Sequence, residues 1–362
     1  MRITGIRIGR LVIPLLKPFK TALRSTDAVA TNIVEVTTDG PFSGYGEAPP
    51  TAAITGETDG SIRGAIETRI AAALTGKDAE NLNELLDALE RSIVGNSSAK
   101  AAVDAALHDL WGKCCGMPLY RLLGGSGRVL STDYTISLNE PEEMARDTKE
   151  AVSKGYRALK IKVGSDLALD MARLSAVRKS AGPDILLRAD ANQGWKPKEA
   201  IRAIKFMEDS GLAVELVEQP VASWDIEGLK QVTEAVDTPV MADESARSPR
   251  DALKLIASRA ADMINIKLMK SGGIRGALAI CAMAESAGME CMIGCMMESK
   301  ISVTAAAHLA MARGVITRCD LDAPILCSED PVGGGAEYSG TSITVTDSPG
   351  LGIESVRNVV WQ

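Results

Sequence analysis

The spacing of apolar and polar positions along the chain changes character twice. Over residues 1–40 the apolar residues come in short runs. Leu11, Val12 and Ile13 precede a polar turn at Lys17–Pro18, and Ile33 to Val36 precede the turn at Asp39–Gly40. Such runs, bounded by turn residues, predict strands. From Ser61 to about Gly124 the spacing becomes helical, as in Leu82, Leu85, Leu86 and Leu89, and the alanine-rich stretch Ala101–Leu110 continues it. Strands followed by packed helices predict an α+β domain over residues 1–125.

Beyond Gly124–Gly125 short apolar runs alternate with amphipathic helical stretches. The runs are Thr132–Ser137, Ala158–Val163, Ile185–Arg188, Val214–Val217, Pro239–Met241, Met263–Ile266, Cys291–Gly294 and Thr317–Asp320. Their centres fall about 25–30 residues apart, the length of one strand–helix unit. The pattern predicts an α/β fold, a TIM-type barrel of the (β/α)7β kind over residues 126–340. Ser342–Val345 and Gly350–Ile353 are again strand-like, and residues 341–362 are expected to return to the first domain. No repeat or low-complexity linker interrupts the chain.

Composition narrows the function more than the fold. The 362 residues carry a net charge of -7, and no run of Lys or Arg offers a surface to nucleic acid or an anionic membrane. Aromatic residues are only 3%, which disfavours stacking on bases or sugars. The apolar opening, Leu11 to Leu16, is broken by Pro14 and is neither a signal segment nor a membrane span. The seven cysteines, an odd number without a CxxC, suit reduced thiols, so the cytoplasm is the expected compartment. A homo-oligomer is compatible with the sequence.

In a barrel of this kind functional side chains lie at the C-terminal ends of the strands. The second strand ends in Lys160-Ile161-Lys162, and alternation puts both lysines on one face with Ile161 on the other. The third ends in Asp190 with Asn192 beyond it, the fourth in Glu218, the fifth in Asp243-Glu244, the sixth in Lys267, and the eighth in Asp320 and Asp322. A lone acid after a strand is usually a helix cap or turn residue, and a lone lysine is usually solvated. Three successive strands each bringing a carboxylate to one rim, with lysines on either side, is a different matter.

Carboxylates with open positions suit Mg²⁺, one ion per subunit, with Asp190, Glu218 and Asp243 as ligands and Asn192 and Glu244 behind them. A substrate carboxylate on that ion would have the charge of its enediolate stabilised. Lysine acts as a base only when its pKa is lowered, and burial, the metal and a neighbouring ammonium all do so. Lys160 is expected to supply that neighbour for Lys162. Lys162 and Lys267, four strands apart on an eight-strand ring, should face each other, one removing an α-proton and the other returning one to the opposite face. That inverts a stereocentre.

The sequence resembles the muconate-lactonising subgroup of the enolase superfamily, and within it the dipeptide epimerases that act on L-Ala-D/L-Glu. The resemblance covers essentially the whole chain. It is carried by LKIKVG at Leu159–Gly164, DANQGW at Asp190–Trp195, VEQP at Val217–Pro220, ADES at Ala242–Ser245 and NIKLMK at Asn265–Lys270. It implies that residues 1–125 cap the barrel and help to choose the substrate, through Lys17–Arg24 and Thr51–Gly56. It also implies that Asp320 and Asp322 hold the substrate's N-terminal ammonium group.

Arg24, with or without Lys20, would then either meet a side-chain carboxylate on the second residue or be held in a structural salt bridge. Met296 and Met297 are expected either to line the distal pocket or to fill the core. The implied reaction is epimerisation of L-Ala-L-Glu at its second residue, with a role in recycling of peptidoglycan peptides. Other lysine-pair relatives compete with this reading: muconate cycloisomerase, o-succinylbenzoate synthase and N-succinylamino acid racemase. Their substrates present no free ammonium group, so the Asp320/Asp322 pair discriminates against them. A barrel that only binds would have no use for two opposed lysines.

No GxxxxGK[ST], HExxH or GxSxG occurs, and the glycines at Gly272–Gly273 read as a tight turn. His108 and His308 are the only histidines and sit in helical patterns, where packing is the expected role.

Overall fold

The apolar runs beyond Gly125 fold as eight parallel strands paired in chain order: Tyr134–Ile136, Ala158–Lys162, Leu186–Asp190, Val214–Glu218, Val240–Ala242, Met263–Ile266, Glu290–Gly294 and Ile316–Asp320. The computed structural model describes residues 1–362. Seven helices of 10 to 15 residues connect the strands, from Pro141–Ser153 after the first to Lys300–Ala312 after the seventh. The ring closes between its first and last strands through the parallel bridge Thr132–Cys319 and the bond from Leu321 N–H to Thr132 Oγ1.

Alternation along each strand fills the barrel. Ile161, Ala189, Val217, Ile264 and Ile293 point outward into the main core beneath the helices, while Leu216, Met241, Met263 and Met292 form a separate apolar layer inside. Beside that layer the buried Arg188 is paired with Asp133 at 2.8 Å and with Glu215 at 2.7 Å. A buried guanidinium needs both carboxylates, because an unpaired charge there would cost several kcal/mol. The other end of the barrel is thereby left to the catalytic candidates.

The first 125 residues place an antiparallel sheet beside a buried helix. Ile3–Lys20 and Ser25–Thr38 form one long hairpin, and Gly44–Ala48 pairs with the second of these strands. The turn expected at Lys17–Pro18 lies instead inside the first strand. Pairing is irregular between Pro14 and Phe19, where two prolines cannot donate to the ladder, but the strand continues and the chain reverses at Thr21–Arg24. That shift carries Phe19 to Arg24 over the barrel mouth.

Helix Ser97–Cys115 is buried along most of its length, which explains its alanine content. Strand Gly44–Ala48 lies so close on it that a Cβ at Gly44 or Gly46 would collide with the carbonyl oxygens of Ala106 or Ala102. On its other side Asp104 accepts from Ile274 N–H at 2.6 Å and caps a barrel helix.

The last residues are shared out. Ser342–Val345 pairs with Ala336–Ser339 and with Leu130–Ser131 at the barrel's start, whereas Val360–Trp361 pairs with Gly9 and Arg10 of the first strand. No helix is long and apolar enough to cross a membrane. All seven cysteines are free.

Candidate active site

Six strands deliver the charged residues singled out by sequence to one buried cluster. Strand register sets Lys162 beside Asp190 and Asp190 beside Glu218, and Asp243 follows directly on its strand. Lys162 Nζ lies 2.6 Å from Asp190 Oδ2. Lys160 Nζ sits 3.1 Å from Asp190 Oδ2, 2.8 Å from Glu218 Oε2 and 2.8 Å from Asp320 Oδ2. Across the ring, Lys267 Nζ is 2.8 Å from Asp243 Oδ2. Asn192 Nδ2 donates to Glu244 Oε1 at 3.2 Å.

Charge and burial oppose each other at Asp190 and the lysines, and burial and neighbouring acids act together at Glu218 and Glu244. Against the cost of burial, Lys162 and then Lys160 hold Asp190 down at about 2. Burial, and next Asp190, push Glu218 up to about 7. Burial and Asp243 push Glu244 up to about 8. Two of the lysines run opposite to what burial alone would give. Burial lowers Lys160, but Asp320, Glu218 and Asp190 outweigh it and lift it well above the ordinary value. Lys267 is likewise lowered by burial and by Lys160, yet raised overall by Asp243. Alternation along a strand foretells which residues share a face. It does not foretell that each ammonium will close on a carboxylate.

Several supporting residues carry no role in the sequence reading. Lys270 Nζ lies 2.5 Å from Asp243 Oδ1 and also donates to the Asp243 and Asn265 carbonyls. Asn265 Nδ2 donates to Glu218 Oε1 at 2.9 Å. Gln219 Oε1 accepts from Asp243 N–H at 2.9 Å and from Ser245 N–H at 3.1 Å, with Gln219 itself in the left-handed region at φ 36°. Asn192 is also left-handed, at φ 41°. Asn265 stands two positions before Lys267, and that period was the available signal. Gln219 and Lys270 lie inside recognisable motifs but follow no periodicity of their own.

Whether these residues suit a divalent cation is a question of donor chemistry. Asp190, Glu218 and Asp243 are hard oxygen donors, wholly buried, from three adjacent strands. Glu218 Oε2, Glu244 Oε2 and Asn192 Oδ1 have no hydrogen-bond partner, Glu218 Oε2 lying near Lys160 without hydrogen-bond geometry. As placed, no three acidic side chains close around one point, and ammonium groups stand between them. Donor type and the unpartnered oxygens fit a hard cation.

A cleft of about 540 Å³, open solvent included, lies directly above. Lys160, Lys162, Lys267, Asn192, Asp320 and Asp322 line its barrel side, and Phe19, Leu23, Arg24 and Ile54 its cap side. Met296 and Met297 also line it, while packing into the core. Asp322 accepts from Thr135 N–H at 2.7 Å, and burial together with Asp320 lifts it to about 6. Arg24 is half-buried and makes no ion pair, and burial lowers its pKa. Lys20 does not join it. Lys20 Nζ is 2.8 Å from Asn139 Oδ1 and does not line the cleft. His108 bonds the Asp104 carbonyl and His308 accepts from Tyr120 N–H, both away from the cleft.

Comparison with known proteins agrees with this arrangement. Residues 143–359 match the family described as enolase C-terminal domain-like, and residues 5–124 the mandelate racemase / muconate lactonizing enzyme, N-terminal domain. The chain is 55% identical to the L-Ala-D/L-Glu epimerase of Clostridium acetobutylicum, over 99% of this chain and 100% of that protein. The substrate-liganded L-Ala-D/L-Glu epimerase of Bacillus subtilis is 51% identical and superposes with a TM-score of 0.97, over 98% of this chain and 99% of that one. A dipeptide epimerase of Enterococcus faecalis, complexed with Mg and L-Leu-L-Tyr, is 43% identical with a TM-score of 0.94, over 98% and 100%.

Proposed function

We propose that this chain, which belongs to the mandelate racemase / muconate lactonizing enzyme family of the enolase superfamily, is a dipeptide epimerase that inverts the second residue of L-Ala-L-Glu. The observation that carries the reading is one cleft lined at once by two lysines from opposite strands, by two aspartates and by an arginine without a partner. Each matches one feature of such a substrate. The lysines meet the two faces of the α-carbon, the aspartates the free ammonium, and Arg24 the side-chain carboxylate.

Asp190, Glu218 and Asp243 would hold Mg²⁺. When bound, that ion supplies charge stabilisation to a carboxylate whose α-proton is leaving. Lys162 and Lys267 move the proton. In the present arrangement Asp190 and Asp243 each hold one of them by an ion pair. Turning Asp243 away would withdraw its hold on Lys267, and burial would then favour the neutral amine that a base requires. Lys160, anchored by three acids, keeps a fixed positive charge beside Asp190. The cap excludes water with Phe19, whose ring stands 5.8 Å from Lys162 Nζ.

Incubation of L-Ala-L-Glu with enzyme and Mg²⁺ in D₂O, followed by proton NMR, tests the reading. The expected result is loss of the glutamate α-proton and growth of the L,D diastereomer. Exchange confined to other dipeptides would retain the mechanism and discard Ala-Glu, and no exchange in any dipeptide would reject the reading. Specificity has its own test. Arg24→Met is expected to lower kcat/KM for L-Ala-L-Glu by about 10- to 100-fold, the worth of a charged hydrogen bond, and to spare L-Ala-L-Leu. An equal loss on both dipeptides would show that Arg24 does not read the side chain.

A further inference from the structure

A single carboxylate of the cap sheet finishes a barrel helix. Glu47, on strand Gly44–Ala48, is fully buried, and barrel groups supply its donors. Ser299 N–H donates to Oε1 at 2.6 Å, Ser299 Oγ–H to Oε2 at 2.7 Å, and Ser302 N–H to Oε2 at 3.1 Å. Ser299 is the N-cap of helix Lys300–Ala312, and Ser302 belongs to its first turn. Those amides have no partner within the helix, and the helix N-terminus favours a negative charge.

The residues just before Ser299 form part of the cleft. Cys295, Met296 and Met297 line it, and Glu298 turns back so that its Oε1 accepts from Met296 N–H at 3.0 Å. Glu298 Oε2 has no partner and is buried. The segment is therefore folded on itself at one end, and it is tied across to the cap at Ser299.

We propose that Glu47 is a positioning residue for substrate selection. By holding Ser299 and Ser302 it sets how far the Met296–Met297 wall stands from Arg24 and Ile54, and so which side chain fits at the second residue. The proposal rests on the dipeptide reading above. It concerns a residue that touches neither substrate nor the reacting atoms.

Glu47→Gln keeps the size of the side chain but sets an amide NH₂ against the N–H of Ser302 or Ser299. Three measurements then apply: amide hydrogen exchange over residues 295–302, melting temperature, and kcat and KM for L-Ala-L-Glu and L-Ala-L-Leu. The expected result is faster exchange at Ser299 and Ser302, with the rest of the barrel unchanged. The ratio of kcat/KM between the two dipeptides should shift by about tenfold through KM, since a misplacement near 1 Å can cost about 10²-fold. Glu47→Asp keeps the charge with a shorter reach and should shift the ratio less; it carries the comparison if Glu47→Gln does not fold. Equal loss on both dipeptides, in step with the melting temperature, overturns the proposal. If the wild type turns over no dipeptide, the substrate reading falls, and unchanged exchange at Ser299 and Ser302 overturns the anchoring role separately.

Discussion

Replacing Lys162 or Lys267 by alanine should stop inversion while leaving half of the proton exchange in place. Each lysine faces the α-carbon from its own side, so a variant lacking one retains the other's access to a single diastereomer. In D₂O one variant is expected to wash out the α-proton of L-Ala-L-Glu only, and the other that of L-Ala-D-Glu only. Neither should form the opposite diastereomer at a useful rate. The loss in epimerisation should be about 10²- to 10⁴-fold, the usual worth of a positioned acid or base. Both lysines pair with buried carboxylates, Asp190 and Asp243, so each variant also needs its melting temperature recorded. A well-folded single variant that still inverted both diastereomers would sink the two-base arrangement.

The second large effect is expected at the ammonium end. Asp320 and Asp322 both line the cleft, yet they are held differently. Asp320 is committed to Lys160 at 2.8 Å, while Asp322 has only the Thr135 amide. Asp322→Asn therefore removes charge from the substrate site with less disturbance of the lysine cluster, and Asp320→Asn disturbs both. For Asp322→Asn the expected loss of kcat/KM on the free dipeptide is about 10- to 100-fold, from a charged hydrogen bond worth about 1.5–3 kcal/mol. The double variant should lose more than either single one, without strict additivity, because the two acids share a network. N-Acetylated Ala-Glu provides the control, since it lacks the ammonium group. An unchanged kcat/KM on the free dipeptide would remove the assignment.

Much of this was legible because a barrel repeats one simple rule. Each strand reads as a short apolar run ending in a polar residue, and Met263–Ile266 was bounded correctly from that alone. The same rule grouped Lys160, Lys162, Asp190, Glu218 and Lys267 at one rim. It could not give pairings. Nothing in the alternation shows that three acids surround Lys160.

The hairpin failed for another reason. Lys17–Pro18 is good turn chemistry, but an irregular long strand absorbs it, and the reversal falls four residues later. Lys20 is expected beside Arg24, whereas Lys20 bonds Asn139 and Arg24 alone of the two lines the cleft. Glu47 left no local trace, because its donors lie 252 and 255 residues away.

Pairing of the opening strand with Val360–Trp361 has a consequence for how the chain is made. Each barrel strand docks beside the one synthesised just before it, so the ring can grow as the polypeptide leaves the ribosome. The domain made first cannot do the same. Arg7 waits for the ring of Trp361, 4.5 Å from its guanidinium in the finished molecule, and Gly9 for a backbone partner near the very end. At about 5–20 residues per second, that edge stays open for roughly tens of seconds of translation. That edge of the cap sheet is sealed only after all eight barrel strands have been made.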